Sequence, residues 1–424
     1  MSPILRTVGV LSGTVFLVMI GISIIVPALP QYGLELGATA FLAGVLVGAL
    51  PAARVVLDLP SGALGDRYGN RAMMQLGLAI IAITSALAVL AFHFIVLLAV
   101  RVAEGIGSAF YVTSSLAALA KRIPAEHRGR YMGIYVNALL VGQIVGPVIG
   151  GFVVVAGGLR APFAAYAILA TVGLVLITFA MEPGRVDGMS ARVDRAAVAR
   201  LLRDRSYVLV NIGTMGTFFV RAGLITTVVP LFIFYNWGVV SREEAALLTS
   251  VLITTTAAAS LCTLYPSGWL ADRIGRKVPF VVSLVATGLV SPFLFFTRDL
   301  GSAIPIMFVY GLVLGLHGPL AAWATDLTPK EIMGTSMGLY RTIGDLGFLF
   351  GPVILAAVLE ITMTGRETLT PLDDRVTIVP FLVASVWVTA SGLAMLGARD
   401  PAAERRRGHV AAPSAESSDP PERP

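Results

Sequence analysis

Stretches of about 20 consecutive apolar residues recur along nearly the whole of this 424-residue chain, and no other property restricts its fold as tightly. A helix rises about 1.5 Å per residue, so one such stretch crosses a hydrocarbon layer roughly 30 Å thick. Inside that layer no water can satisfy a free peptide group, which leaves only helices and closed β-barrels. The runs are continuous in Leu, Val, Ala, Ile and Phe, without the alternation of a barrel strand, and so predict helices. Composition agrees: 56% of residues are hydrophobic and 13% charged, far from the roughly 45–50% and 25% of water-soluble domains. The expected fold class is therefore an all-α membrane protein with the lipid bilayer as its main partner.

Twelve spans are expected, near 8–29, 39–60, 73–92, 95–120, 131–155, 163–181, 207–234, 245–265, 278–296, 302–325, 335–359 and 377–396. The first exceeds a signal-peptide core and lacks a convincing small-residue cleavage site, so it reads as a retained helix. Residues 1–181 and 207–396 make two halves of six spans each, joined by an Arg- and Asp-rich linker over 182–206. A Pro-, Ala-, Ser- and Arg-rich tail over 397–424 buries too little apolar surface to fold alone. With both termini in the cytoplasm, 22 of the 31 Lys and Arg fall on that side and 5 on the other, as the positive-inside rule requires. Membrane orientation then accounts for the net charge of +6, and nucleic acid is not needed as a partner. The excess of Arg over Lys points to a GC-rich bacterial genome and a cell-membrane location.

An internal repeat fixes the architecture. Gly62-Ala63-Leu64-Gly65-Asp66-Arg67-Tyr68-Gly69-Asn70-Arg71 follows the second span, and Gly268-Trp269-Leu270-Ala271-Asp272-Arg273-Ile274-Gly275-Arg276-Lys277 follows the eighth, 206 residues on. Gly133, Gly142, Gly146 and Pro147 of the fifth span return 205 residues later as Gly338, Gly347, Gly351 and Pro352 of the eleventh. With these motifs the chain resembles the major facilitator superfamily of secondary transporters over residues 1 to about 400. The resemblance implies two pseudo-symmetric six-helix bundles around a central cavity, rocking to expose it to each side in turn.

Gly69 and Gly275 permit tight turns, while Asp66 and Asp272 can cap a neighbouring helix and Arg67, Arg71, Arg273 and Arg276 supply basic partners. In the family this motif is similar to a cytoplasmic latch; the alternative is a charged turn that only orients the helices. Asn70 stands where a basic residue is usual. Gly142, Gly146 and Gly150 share one face of the fifth span, a spacing that lets backbones approach closely, and Pro147 removes one helical hydrogen bond. Together with Gly133 and Gly151 they resemble the antiporter motif of the superfamily's drug:proton exporters.

Seven ionisable residues fall inside spans: Arg54, Asp58, Arg101, Glu104, Arg221, Arg341 and Asp345. Each costs about 2.5–3.5 kcal/mol to insert, so each needs a partner or a wet cavity. Helical spacing pairs Arg54 with Asp58, Arg101 with Glu104, and Arg341 with Asp345. Arg54 and Asp58 lie close to the loop motif and are assigned to the same gate. Arg101-x-x-Glu104-Gly105-x-Gly107 resembles the fourth-helix motif linked to proton coupling, with Glu104 where Gln is usual. Counting residues from either end brings Glu104 and Asp345 near the midplane, and both are candidate proton sites; a static ion pair is the alternative. Arg221 has no acid on its own helix and could meet Glu104 or an anionic ligand. Phe218, Phe219, Tyr111, Tyr310, His317 and Trp323 are candidates for an aromatic, weakly polar pocket around it, with ordinary helix packing as the alternative for each.

Cys262 is the single cysteine, so no disulfide or cysteine metal site can form within one chain. There is no phosphate-binding loop, nucleophile elbow or His/Cys cluster, which argues against an enzyme, and no metal or organic cofactor is expected. The expectation is a monomeric secondary transporter driven by the proton gradient. It would export a small amphipathic molecule, or alternatively serve as a proton- or ion-coupled permease for an organic anion.

Overall fold

The computed structural model describes residues 3–123, 127–181, 195–318, 320–329, 332–364 and 376–404. Most of the expected linker and tail, 182–194 and 405–424, lies outside them. Among the described residues, twelve helices are long and apolar enough to cross a membrane, and there is no strand. The main helical segments of these spans are, in chain order, α1 (Pro3–Ile25), α2 (Ala40–Tyr68), α3 (Asn70–Val89), α4 (Phe94–Arg122), α5 (Arg128–Gly157), α6 (Ala161–Ala180), α7 (Arg205–Asn236), α8 (Arg242–Ile274), α9 (Lys277–Val290), α10 (Leu300–Gly315), α11 (Met333–Thr364) and α12 (Val379–Ala394), and the spans of α9, α10 and α12 run on to Phe296, Asp326 and Glu404.

Polar side chains define where the helices start. Thr39, Asp204, Ser241 and Asp299 accept from the free amides of α2, α7, α8 and α10, with Asp299 and Ser302 closing a reciprocal box. At the exposed start of α10 these hydrogen bonds hold the Asp299 carboxyl below the usual range. Gly69 and Gly275 end α2 and α8 at φ of +88° and +96°, a region that favours glycine. The repeated motif is thus less of a loop than its sequence suggests: Gly62–Tyr68 and Gly268–Ile274 are still helical, and the chain turns only at the glycine. A further departure concerns the start of the tail. Ala398 and Asp400 are buried, and Asp400 Oδ2 accepts from the Lys277 amide at 2.9 Å, tying this segment to the second bundle.

Large apolar side chains such as Ile95, Phe152, Phe179 and Phe293 cover the outer surface, an arrangement suited to lipid and unfavourable in water. In the first half α1 packs closely on α5. A Cβ on Gly142, Gly146 or Gly150 would stand 2.8, 2.9 or 2.5 Å from the carbonyl oxygen of Phe16, Ile20 or Ile24. The second half repeats it with α11 on α7, where a Cβ on Gly347 would stand 2.5 Å from the Met215 carbonyl oxygen and Gly351 lies against Phe219. Gly151 faces the other way, onto Ser250 and Leu247 of α8 in the opposite half, and Gly133 has nothing within 4 Å of its missing side chain.

The halves meet along α2 with α11 and α5 with α8. At the end away from the repeated motifs they are closed. The buried Gln31, on a short helix Leu29–Glu35, donates to the Pro230 carbonyl at 2.8 Å, and Glu360 accepts from the Phe41 amide at 2.6 Å.

Candidate functional site

The charges inside the spans regroup relative to their helical spacing. Arg54 Nη2 lies 3.0 Å from Asp345 Oδ2, and Arg341 Nε lies 3.0 Å from Asp58 Oδ2, whereas Arg54 and Asp58 on one helix are 4.0 Å apart. The pairs expected within α2 and within α11 therefore become two pairs between them. The reason is geometric: each helix carries Arg-x-x-x-asp-type spacing, and the two run antiparallel. Each Arg then meets the acid of the other helix, and both pairs bridge the two halves. Asp58 and Asp345 are 8% and 4% exposed, so these are interior ion pairs and not surface ones.

Arg101 and Glu104 do pair on α4 as spacing predicts, by a direct hydrogen bond. Ser85 Oγ on α3 donates to the other Glu104 oxygen at 2.7 Å. Gly105 beside them lets α2 approach, a Cβ there standing 2.5 Å from the Leu50 carbonyl oxygen. Glu104 is fully buried, and among the described residues its partners, Arg101 and Ser85, belong to its own half.

Arg221 opens a π-helical turn, Arg221–Val228, at the middle of α7, a local widening of the kind often found at functional sites. It donates to Gln143 Oε1 of α5 across the interface at 3.3 Å, not to Glu104. Tyr310 of α10 is buried within electrostatic reach of it, and among the described residues the Tyr310 hydroxyl has no hydrogen-bond partner. His317, half-buried, turns Nδ1 to the Leu314 carbonyl. One turn before Arg221, Phe218 stacks on Phe348 of α11 with ring centres 4.8 Å apart.

The other aromatic candidates point elsewhere. Phe219 packs on Trp387 inside the second bundle, at 5.1 Å, because adjacent helical positions diverge by about 100°. Tyr111 is buried between α3 and α4 against Gly77. Trp323, on the short helix Leu320–Asp326, donates Nε1 to the Arg399 carbonyl at 2.9 Å and faces Phe280. These three belong to the cores of the bundles, not to the space between the halves.

The repeated motifs tie helices within each half, with their charges reversed. Asp66 Oδ1 accepts from Lys121 Nζ at 2.9 Å in the first copy, while Arg276 Nε meets Asp326 Oδ2 at 2.6 Å in the second. Lys121 and Asp326 are 205 residues apart, the offset of the fifth- and eleventh-span glycines and one less than that of the loop motifs. Where the second copy sets Arg276 against Asp326, the first has the neutral Asn70 and the base Lys121, and Lys121 turns to Asp66 instead. Arg71 donates to the Thr178 carbonyl at 2.5 Å, and Arg67 and Arg273 lie over the rings of Tyr68 and Trp269. Gly268, Asp272 and Arg276 line a cleft of about 350 Å³ with Leu264, Gly318 and Ala322. Gly62 meets only a methyl of Thr113. Lys121, Asp326, Gln143 and Ser85 went unnoticed in the sequence; the 205-residue offset could have shown the first two.

Residues 11–352 match the family model of the major facilitator superfamily. An MFS-type transporter of Methanocaldococcus jannaschii is 23% identical, over 85% of this chain and 93% of its own. Multidrug resistance protein 2 of Bacillus subtilis is 24% identical, over 81% of this chain and 86% of its own. Among solved structures, a bacterial homologue of the human lysosomal transporter Spinster, in an inward-facing and unoccupied conformation, superimposes with a TM-score of 0.73 at 18% identity, covering 97% and 98% of the two chains.

Proposed function

The chain belongs to the major facilitator superfamily, a multi-pass membrane transporter and not an enzyme, and from that premise we propose that it exports a small amphipathic molecule in exchange for protons. Two observations support export by antiport: the close α1–α5 contact made by Gly142, Gly146 and Gly150, and the similarity to a multidrug resistance protein over most of both chains. No organic cofactor is needed, because the proton gradient supplies the energy to a single chain.

The observation that carries the coupling is the division of the Arg54, Asp58, Arg341 and Asp345 cluster between the halves. Rocking one half against the other must stretch these two pairs, changing both the solvation and the partner of Asp345 and Asp58, and with them their proton affinity. Glu104 moves as one body with Arg101 and Ser85, so rocking alters its surroundings less. We assign the proton to Asp345 with Asp58, and a packing role to Glu104. In proteoliposomes with an imposed pH gradient, Asp345→Asn is expected to lose gradient-driven uphill flux while retaining ligand binding. Glu104→Gln is expected to keep the gradient dependence at reduced thermal stability. The reverse pattern would return the proton to Glu104.

The excess of Lys and Arg assigns the end with Gly69 and Gly275 to the cytoplasm, so the conformation described is closed towards the outside. In a Cys262→Ser background, Val240→Cys, on an exposed turn of the closed end, should react with an impermeant maleimide added to intact cells. Tyr68→Cys should react only after the cells are opened. Labelling of Tyr68→Cys from outside would invert the topology. A second reading, a coupled permease for an organic anion, is favoured by Arg221, which has no carboxylate partner among the described residues.

A further inference from the structure

Four Arg and three carboxylates make up the seven charges inside the spans, which leaves one positive charge over. Three pairs account for six of them: Arg54 with Asp345, Arg341 with Asp58, and Arg101 with Glu104. The remainder is Arg221. Among the described residues its hydrogen-bond acceptor is the neutral Gln143 side chain, at the long distance of 3.3 Å. A guanidinium does not give up its proton at physiological pH, so Arg221 cannot escape the cost of its position by neutralising itself. Tyr310 of α10, buried within electrostatic reach of it, carries a second unspent donor, a hydroxyl with no partner among the described residues. Both lie near the middle of their helices. Arg221 is central in Arg205–Asn236 and reaches a residue of the opposite half, where a transporter of two rocking halves exposes its ligand to each side. The apolar Phe218–Phe348 stack begins one helical turn away.

We propose that the missing counter-ion is the transported molecule itself. The pathway takes amphipathic organic anions, with a carboxylate or similar acidic group held by Arg221 and Tyr310 and displacing or sharing Gln143, and with the apolar body lying towards Phe218 and Phe348. A carboxylate matches the planar fork of a guanidinium and accepts the tyrosine hydroxyl at the same time. An amide of the same shape offers no charge, and an amine repels. This inference deepens the transport reading and rests on it for the word substrate, but the anion site stands or falls by binding alone.

The test uses the full chain in lipid nanodiscs and three probes with a common skeleton: 2-naphthoate, 2-naphthamide and 2-naphthylmethylamine. Binding is read by equilibrium dialysis, with chloride lowered in a parallel series at constant osmolarity with sucrose. The carboxylate should bind roughly tenfold more tightly than the other two, the step expected from one charge-assisted hydrogen-bond pair. Arg221→Gln should abolish that preference, Arg221→Lys should keep part of it, and Tyr310→Phe should weaken 2-naphthoate several-fold without affecting 2-naphthamide. If Arg221→Gln fails to fold, Tyr310→Phe, which removes one oxygen from a packed ring, decides the question. No preference for the carboxylate in the wild type, a preference that survives in Arg221→Gln, or chloride competing at millimolar levels so that an inorganic ion is the occupant, would each overturn it. Counterflow in proteoliposomes separates the two ideas. Carboxylate binding without flux of any probe leaves the anion site and removes the transport reading, while flux of amine and amide that is indifferent to Arg221→Gln does the opposite.

Discussion

Exchanging Arg54 and Asp58 within α2, as the double substitution Arg54→Asp with Asp58→Arg, is expected to destabilise the protein by about 3–5 kcal/mol or prevent its insertion. Exchanging Arg54 with Asp345 should leave most of the stability in place. Both double variants keep the same residues and the same net charge. The first preserves the spacing of opposite charges along one helix but puts an acid opposite Asp345 and a base opposite Arg341, so that two interior pairs become two repulsions. The second preserves both contacts between α2 and α11 and introduces like charges only at the i, i+4 spacing, where Arg54 and Asp58 stand 4.0 Å apart against 3.0 Å for the pairs between helices. Arg54 and Arg341 retain 19% and 27% side-chain exposure, so the lower end of the range applies. Unfolding in detergent, followed by heat and by denaturant, measures the difference. Exchanging all four, Arg54→Asp, Asp58→Arg, Arg341→Asp and Asp345→Arg, should recover most of the loss. If the exchange within α2 is the better tolerated, the ion pairs lie within the helices and the proton assignment to Asp345 loses its basis.

Gly150→Val is the second change expected to have a large effect. Its first side-chain carbon would stand 2.5 Å from the carbonyl oxygen of Ile24, and a carbonyl in a helix cannot swing aside as a side chain can. The helices α1 and α5 would have to separate, at a cost of about 1–3 kcal/mol for overpacking and more if the backbone resists. They also carry Gln143 and the residues that meet α8, so transport should fall further than stability does. Gly133→Val is the matched control from the same motif on the same helix. With nothing within 4 Å of its missing Cβ, it should change stability by no more than about 0.5 kcal/mol. Melting temperatures and counterflow rates for the two variants distinguish the cases. Equal losses would mean that the glycines act through helix flexibility and not through the contact with α1.

Much of this is legible in the sequence. A chain of continuous apolar runs has one solvent and two possible folds, so twelve helices followed from length and composition alone. Gly69 and Gly275 could be read because a turn that needs positive φ favours one residue type, and the face shared by Gly142, Gly146 and Gly150 because helical periodicity is a local property. Arg101 with Glu104 was legible for the same reason: both partners lie on one helix, three positions apart.

Spacing along the chain failed where the partner lay on another helix. Arg54 and Asp345 are 291 positions apart, and nothing in either neighbourhood records that α2 and α11 run antiparallel at the distance where each Arg meets the other's acid. Phe218 and Phe219 show the same limit at the smallest scale. Both were plausible pocket residues by type, yet only the packing of α7 on α11 and α12 decides that Phe218 meets Phe348 while Phe219 turns into the bundle. Residue type and local period were enough to read the solvent, the helices, the repeat, the excess of one positive charge and its place at Arg221. Tertiary structure alone decided that Arg54 and Arg341 exchange acids between α2 and α11 and that Arg221 meets Gln143 and not Glu104, because a Coulomb interaction depends on distance through space and not along the chain.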